Sequence, residues 1–475
     1  MTPLNPYRRS GLTKLAAIAL VLASLLNGTG YLLRRVGWLD RAGYHTDLLR
    51  FCRQPVQELW LPLSCHFQRI LSLDPLRTET IASGRLYLSP GWELVFKLAK
   101  YGLIGVFLAI SLALLLRGRL PMPRRRQWWP LLPLLISSVL SFLITWGHTG
   151  PVLALLSLVT LGWLPMLVLG GWLSDRRQLA MLALPVALLL LAQLPLTLLE
   201  ALRGVPIPFG QFSDTALPPA LPLPSRLAGS FILPNTLGVA LACGLGFLLS
   251  YRGASPLWTL SVLVSLPLML AARSGTGIVV VMALLAWRLL PPLLGLGGLA
   301  ALAVVLPALL GRADLYWASL VGRLQLLGHV VDVRQPLQAL FGHGLAAYSN
   351  HLDQLFVEGN DSLTTGVREL TDAASLPFTS TDSMLTLLLV QGGLVAVVAF
   401  YGLVLWAIRH DHQARPFLFT VLLASLTINL TEVFPISLLL ALSLNRALLS
   451  ASSAKRSGHE TRLTPVSAEG SSPLR

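Results

Sequence analysis

Apolar residues in this chain gather in long unbroken blocks, separated by short stretches of arginine, glycine, proline and serine. A half-buried strand would alternate with period two, and a surface helix would show one apolar stripe; neither pattern dominates here. Blocks of about 20 apolar residues match the thickness of a bilayer when coiled into an α-helix. On that rule the chain predicts spans at 13–33, 92–116, 128–146, 152–173, 179–201, 231–250, 258–272, 276–290, 293–310, 384–408, 416–430 and 433–449. The expected fold is all-α: a polytopic bundle of about 12 transmembrane helices, with a large loop between the ninth and tenth.

Composition sharpens this picture. The 475 residues are 54% hydrophobic and 12% charged, where a soluble chain would carry about a quarter charged residues. The net charge of +15 comes almost wholly from arginine, since lysine stands only at positions 14, 97, 100 and 455. No soluble basic domain exists to present that charge to nucleic acid; the surplus instead orients the bundle. Arg8, Arg9 and Lys14 precede the first span, Arg117, Arg119, Arg124, Arg125 and Arg126 follow the second, and Arg176 and Arg177 follow the fourth. Arg252, Arg288, Arg409 and Arg415 fall on the same side if both termini are cytoplasmic. Residues 34–91 resist the rule: they hold eight arginines, yet come out on the outer face.

The extramembrane parts follow from this topology. Segment 34–91, with Trp38, Trp60 and Phe67 among its arginines, is expected as periplasmic amphipathic helices. The bundle proper covers 92–310 and includes an outer loop, 203–229, rich in proline. Residues 311–383 form the large outer loop, expected as a folded cap, and 384–449 supply the last spans. The serine-rich stretch 450–475 is expected as a disordered cytoplasmic tail. Leu15–Leu26 lacks a small-residue cleavage site and reads as an anchor. Cys243 reads as a small buried residue, while Cys52 and Cys65 leave open a periplasmic disulfide or two free thiols.

Charged residues near the outer ends of spans are the candidates for chemistry. Arg226 stands in SRLAGSFILPN, where Pro234 and Asn235 suit a helix start; it is either an anion ligand or a plain loop arginine. Arg273 and Ser274 occupy the turn ARSGTG after a short apolar helix, which puts the turn either at membrane depth or in a surface hairpin. Arg312 opens the large loop and Asp382 closes it, the latter as a site carboxylate or a helix N-cap. Glu432 lies between two apolar runs, as an arginine partner or a turn residue. Guanidinium groups from separate loops suit a diphosphate, which they grip bidentately at any physiological pH. His410, Asp411 and His412 are expected to be solvated in a cytoplasmic loop. His329, His343 and His351 lack zinc-site spacing, and no phosphate-binding glycine loop implies ATP hydrolysis.

In order and topology these motifs resemble the O-antigen ligase and polysaccharide polymerase (Wzy-like) superfamily of bacterial membrane glycosyltransferases. The resemblance rests on R-x-x-G-x-F-x-x-P-N at Arg226, Gly229, Phe231, Pro234 and Asn235, then Arg273–Ser274, Arg312 with Trp317, Gly342–His343–Gly344, and the loop exit; it covers 130–449. Ligases usually carry a histidine at that exit, where this chain has Asp382 and Ser383, with Gln391 where glutamate is common. That departure points to the exopolysaccharide or capsule polymerase branch. The resemblance implies a multi-pass protein of the bacterial inner membrane and transfer of glycan from an undecaprenyl diphosphate-linked oligosaccharide to an acceptor glycan. It implies no cofactor and no metal, with inversion at the anomeric carbon and a chain-length regulator or flippase as companions. Arg226 and Arg273 would hold the diphosphate, Arg312 would assist or position the loop, and Asp382 would be the base, with Asn235, Ser274, His343 and Glu432 as substrate-binding residues. The alternatives are an O-antigen ligase acting on a lipid A core, and a transporter of lipid-linked oligosaccharide.

Overall fold

The computed structural model describes residues 6–35, 90–123, 127–203, 227–231, 233–289, 336–345, 383–431 and 433–450. Every regular element among them is helical. In chain order they are α1 (Pro6–Arg35), α2 (Pro90–Leu116), α3 (Leu132–Ser157), α4 (Trp163–Leu169), α5 (Arg176–Arg203), α6 (Pro234–Arg252), α7 (Pro256–Ala271) and α8 (Gly275–Leu289). Then come the short α9 (Pro336–Phe341), α10 (Met384–His410), α11 (Arg415–Ser425) and α12 (Ile436–Ser450). Five stretches, in α1, α2, α5, α6 and α10, are long and apolar enough to cross a membrane, and shorter apolar helices accompany them.

The distribution of polarity fits a bilayer as solvent. Leu15, Ile18 and Leu22 on α1, Ile136, Val139 and Leu143 on α3, and Leu184, Leu188 and Leu198 on α5 face outward at helical spacing. Buried instead are small polar groups such as Ser111, Ser137, Ser141, Thr145, Gln193 and Thr197. In lipid, apolar packing gives helices no solvent-driven reason to associate, so small and hydrogen-bonding residues take the interfaces.

Helix α6 sits at the centre, packed by α5, α7, α8 and α11. Its glycines let these neighbours approach: Gly238 faces Ser274 and Gly277 of the α7–α8 turn and α8, Gly244 faces Leu190 of α5, and Gly246 faces Thr420 of α11. Any side chain at these positions would collide with the facing helix.

Two expected boundaries move. Spans 128–146 and 152–173 are divided differently: α3 runs on through Gly147, Gly150 and Pro151 to Ser157, and a broken stretch of 3-10 turns and α4 follows. Gly and Pro punctuate helices in water, but among neighbouring helices a chain has no water to turn to and keeps its internal hydrogen bonds. Expected span 416–430 ends at Ser425 and gives way to a turn. The expected span 293–310, segment 34–91, the tail 451–475 and most of both outer loops lie outside the described residues.

Candidate functional site

Hydrogen bonds at the termini of the helices sort them into two ends. At one end Phe417 N donates to Ser250 Oγ (2.9 Å) and Arg446 Nε pairs with Asp411 Oδ2 (2.8 Å), which gathers the last turns of α6, α10 and α12 with the first turn of α11. Asp411 is therefore buried and ion-paired, not solvated as expected; its Oδ1 also accepts from Gln413 N and Ala414 N. His410 and His412 are exposed, in line with expectation. At the opposite end lie the starts of α6, α10 and α12, where Met384 N donates to Ile428 O (3.2 Å). This second end holds every described candidate from the motifs.

Arg273 closes α7 in an unusual way. Ser274 N donates to Met269 O and Arg273 N to Leu270 O, the bond pattern of a Schellman cap. That cap needs a left-handed residue, normally glycine, and here Arg273 takes it with φ 47°. Arg273 is half-buried, and burial pulls its guanidinium down from the ordinary value. Ser274 is fully buried, accepts from Gly277 N (3.3 Å) to open α8, and rests against Gly238 of α6. Asn235 lies in the first turn of α6, as the sequence predicts; the chain enters through Leu233, whose N–H donates to Thr236 Oγ1 (3.1 Å).

The segment Leu227–Phe231 runs below this turn. Leu227 N donates to Ala271 O at 3.4 Å, which ties the chain one residue after Arg226 to the chain two residues before Arg273. Glu200 Oε2 accepts from Ala228 N (2.9 Å) and Gly229 N (2.6 Å), and Gln193 Oε1 accepts from Ser230 N and Ser230 Oγ (3.1 Å each). Gly229 turns with φ 56°, and a side chain there would meet Gln193 and Thr197. On the other side the segment presses on Gly28 of α1. Gln193 is about 15 Å along α5 from its end at Arg203, at ~1.5 Å per residue, so the segment dips into the bundle. Irregular backbone survives at such depth only where protein groups or a wet cavity satisfy it. Glu200 and Gln193 were not among the sequence candidates. The one available sequence signal is the carboxylate of Glu200 inside the apolar helix Arg176–Arg203, and it does not extend to Gln193.

A second irregular piece comes from the large loop. Helix α10 breaks at Gly393 (φ 68°, ψ −169°), which strips the carbonyls before it of their helical donors. His343 N donates to Val390 O (2.7 Å), and Gly344 N donates to Gln391 O (3.2 Å). Ser141 Oγ also donates to Gln391 O, and Ser137 Oγ to Gly392 O (3.2 Å). Each freed carbonyl thus has a partner. Gly342, Gly344 and Gly393 permit the contact, since side chains there would overlap Gln391, Thr145 and Leu340. The described part of the loop, Pro336–Leu345, thus packs against α3 and α10. His343 itself is half-buried.

The loop exit is set by Ser383, not Asp382: Ser383 Oγ accepts from Thr386 N (3.1 Å) as the N-cap of α10. Asp382 directly precedes that cap. Arg226, Arg312, Asp382 and Glu432 lie outside the described residues, so of the eight candidates Arg273, Ser274, Asn235 and His343 are described. The first three converge around the start of α6, while His343 sits at the α10 break. Among the described residues no three His, Cys, Asp or Glu side chains gather as metal ligands. No protein-family model, curated protein or solved structure matches the chain.

Proposed function

We propose that this protein is a membrane glycosyltransferase that polymerises exopolysaccharide, capsule or O-antigen repeat units on the periplasmic face, using an undecaprenyl diphosphate-linked donor. The reading is carried by the bond from Leu227 N to Ala271 O, which brings the chain beside Arg226 to the chain beside Arg273 at one end of the bundle. A diphosphate is best held by cations from separate parts of the chain, and in this reading Arg226 and Arg273 are that pair.

In this mechanism Arg226 and Arg273 hold the diphosphate, with Arg312 assisting. An acceptor sugar hydroxyl attacks the anomeric carbon from the side opposite the diphosphate. The new C–O bond forms as the bond to the diphosphate oxygen breaks, and the leaving diphosphate keeps that electron pair. The arginines stabilise the charge that develops there. Asp382, beside the Ser383 cap, takes the hydroxyl proton. A single displacement inverts the anomeric configuration. Asn235, Ser274, His343 and Glu432 contact substrate, and no metal or cofactor takes part.

Arg226→Ala and Arg273→Ala are each expected to abolish long polymer in the cell while the protein stays in the membrane. Electrophoresis of surface polysaccharide checks this; normal chain length in both variants overturns the reading.

One observation favours a second reading. A helix broken inside the bundle, with an irregular segment docked on the break, is a feature of transporters. A purified protein that lengthens lipid-linked oligosaccharide without a gradient supports the transferase. Movement of that lipid across sealed vesicles without glycan transfer supports the transporter.

A further inference from the structure

We infer that Glu200 is a positioning residue for the diphosphate site, holding the strand of chain that leads out of Arg226. The inference rests on the glycosyltransferase reading for what the site binds, but its structural half stands alone. Glu200 is 2% exposed, in an otherwise apolar stretch of α5, and the mechanism gives it no chemical step. An acidic group in such a place is costly and calls for a role. Its Oε2 receives two successive backbone amides, those of Ala228 and Gly229, at 2.9 and 2.6 Å. Two such bonds on one oxygen define the direction of the peptide.

The placement matters because Ala228 is two residues from Arg226. One turn earlier on the same face, Thr197 Oγ1 donates to the Gln193 carbonyl (2.6 Å), and the Gln193 side chain takes the next amide, Ser230 N. Glu200 and Gln193, seven residues apart, thus lie on one face of α5 and grip three consecutive amides. The segment cannot slide along α5 without breaking all of them. An arginine whose backbone is pinned two residues away loses less freedom when it grips a ligand. Glu200 therefore acts through the backbone it holds at Ala228 and Gly229.

The test uses the full-length protein in lipid nanodiscs, with Glu200→Leu, Glu200→Gln and Gly229→Ala. Hydrogen exchange of the Ala228 and Gly229 amides is read first. Glu200→Leu should remove their protection, while Glu200→Gln, which keeps an acceptor oxygen, should retain most of it. Gly229→Ala perturbs the same segment from the Gln193 side and should mimic the leucine variant should that one fail to fold. Binding of undecaprenyl diphosphate, the probe, is read second. It should weaken about tenfold or more in Glu200→Leu and be largely rescued in Glu200→Gln.

Unchanged exchange in Glu200→Leu overturns the clamp. Lost protection with unchanged binding of the probe overturns the positioning role. Equal loss of binding in the leucine and glutamine variants, with the amides still protected in the latter, also overturns it, because the charge itself would then matter. Failure of the glycosyltransferase reading is seen separately: Arg226→Ala and Arg273→Ala would then bind the probe as the unaltered protein does, whatever the exchange data show.

Discussion

At the scale of single residues, the position of Arg273 carries a cost. A left-handed conformation disfavours any residue with a Cβ by about 1 kcal/mol or more, and helix C-caps usually avoid this with glycine. The ARSGTG turn places its glycines at 275 and 277, beyond the left-handed position, and leaves the arginine at φ 47°. Strain kept at one residue points to a use for its side chain. Arg273→Gly is accordingly expected to raise thermal stability slightly, by ~1 kcal/mol, yet to abolish long polymer. Unfolding in detergent beside a polysaccharide profile checks both halves; a glycine variant that makes full-length polymer removes Arg273 from the site. Ser274 belongs to the same logic. It is fully buried against Gly238, and its hydroxyl serves the start of α8.

At the scale of elements, the break in α10 organises the described part of the large loop. Three carbonyls released by Gly393 accept from the backbone of His343 and Gly344 and from two serines of α3. The Gly342–His343–Gly344 step is thus explained by docking: the flanking glycines have φ 78° and 104° and no room for side chains. Gly393→Ala should straighten the helix or push Pro336–Leu345 away, at a cost on the order of 2 kcal/mol. The expected signs are a lower unfolding temperature and faster hydrogen exchange at His343 and Gly344. Retained protection of those amides would show that the loop does not depend on the break. A resemblance can mark this glycine step as a motif, but only the facing helix supplies the reason for it.

At the scale of the whole molecule, the two ends of the bundle differ in kind. One is closed by the Asp411–Arg446 pair, with Arg446 also lying 5.5 Å over the Tyr251 ring. The other takes in two segments: Leu227–Phe231, whose amides meet Glu200 and Gln193 of α5, and Pro336–Leu345, whose last residues bond to backbone carbonyls of α10 and α3. Single cysteines at Leu233 and Leu426, both exposed at this end, should react with a membrane-impermeant thiol reagent added outside cells. Cysteines at Ala254 and His412, exposed at the other end, should react only after the membrane is permeabilised. Labelling of all four from one side would contradict the bundle, and the reverse pattern would invert its orientation.

The sequence by itself determined that the chain is helical and built for lipid, because block length and the exclusion of charge from those blocks are local properties of the chain. It also singled out Arg273, Ser274 and Asn235, since charge and turn residues at helix ends are visible without a fold. Tertiary structure alone decided that α3 continues through Pro151, that Asp411 is buried with Arg446, and that Ser383 caps α10. It alone revealed Glu200 and Gln193, whose role depends on which backbone amides come to face them across 28 to 37 residues of chain. Hydrophobic pattern records how each helix meets its solvent, whereas the partner of a buried polar group is set by what the rest of the chain brings to it.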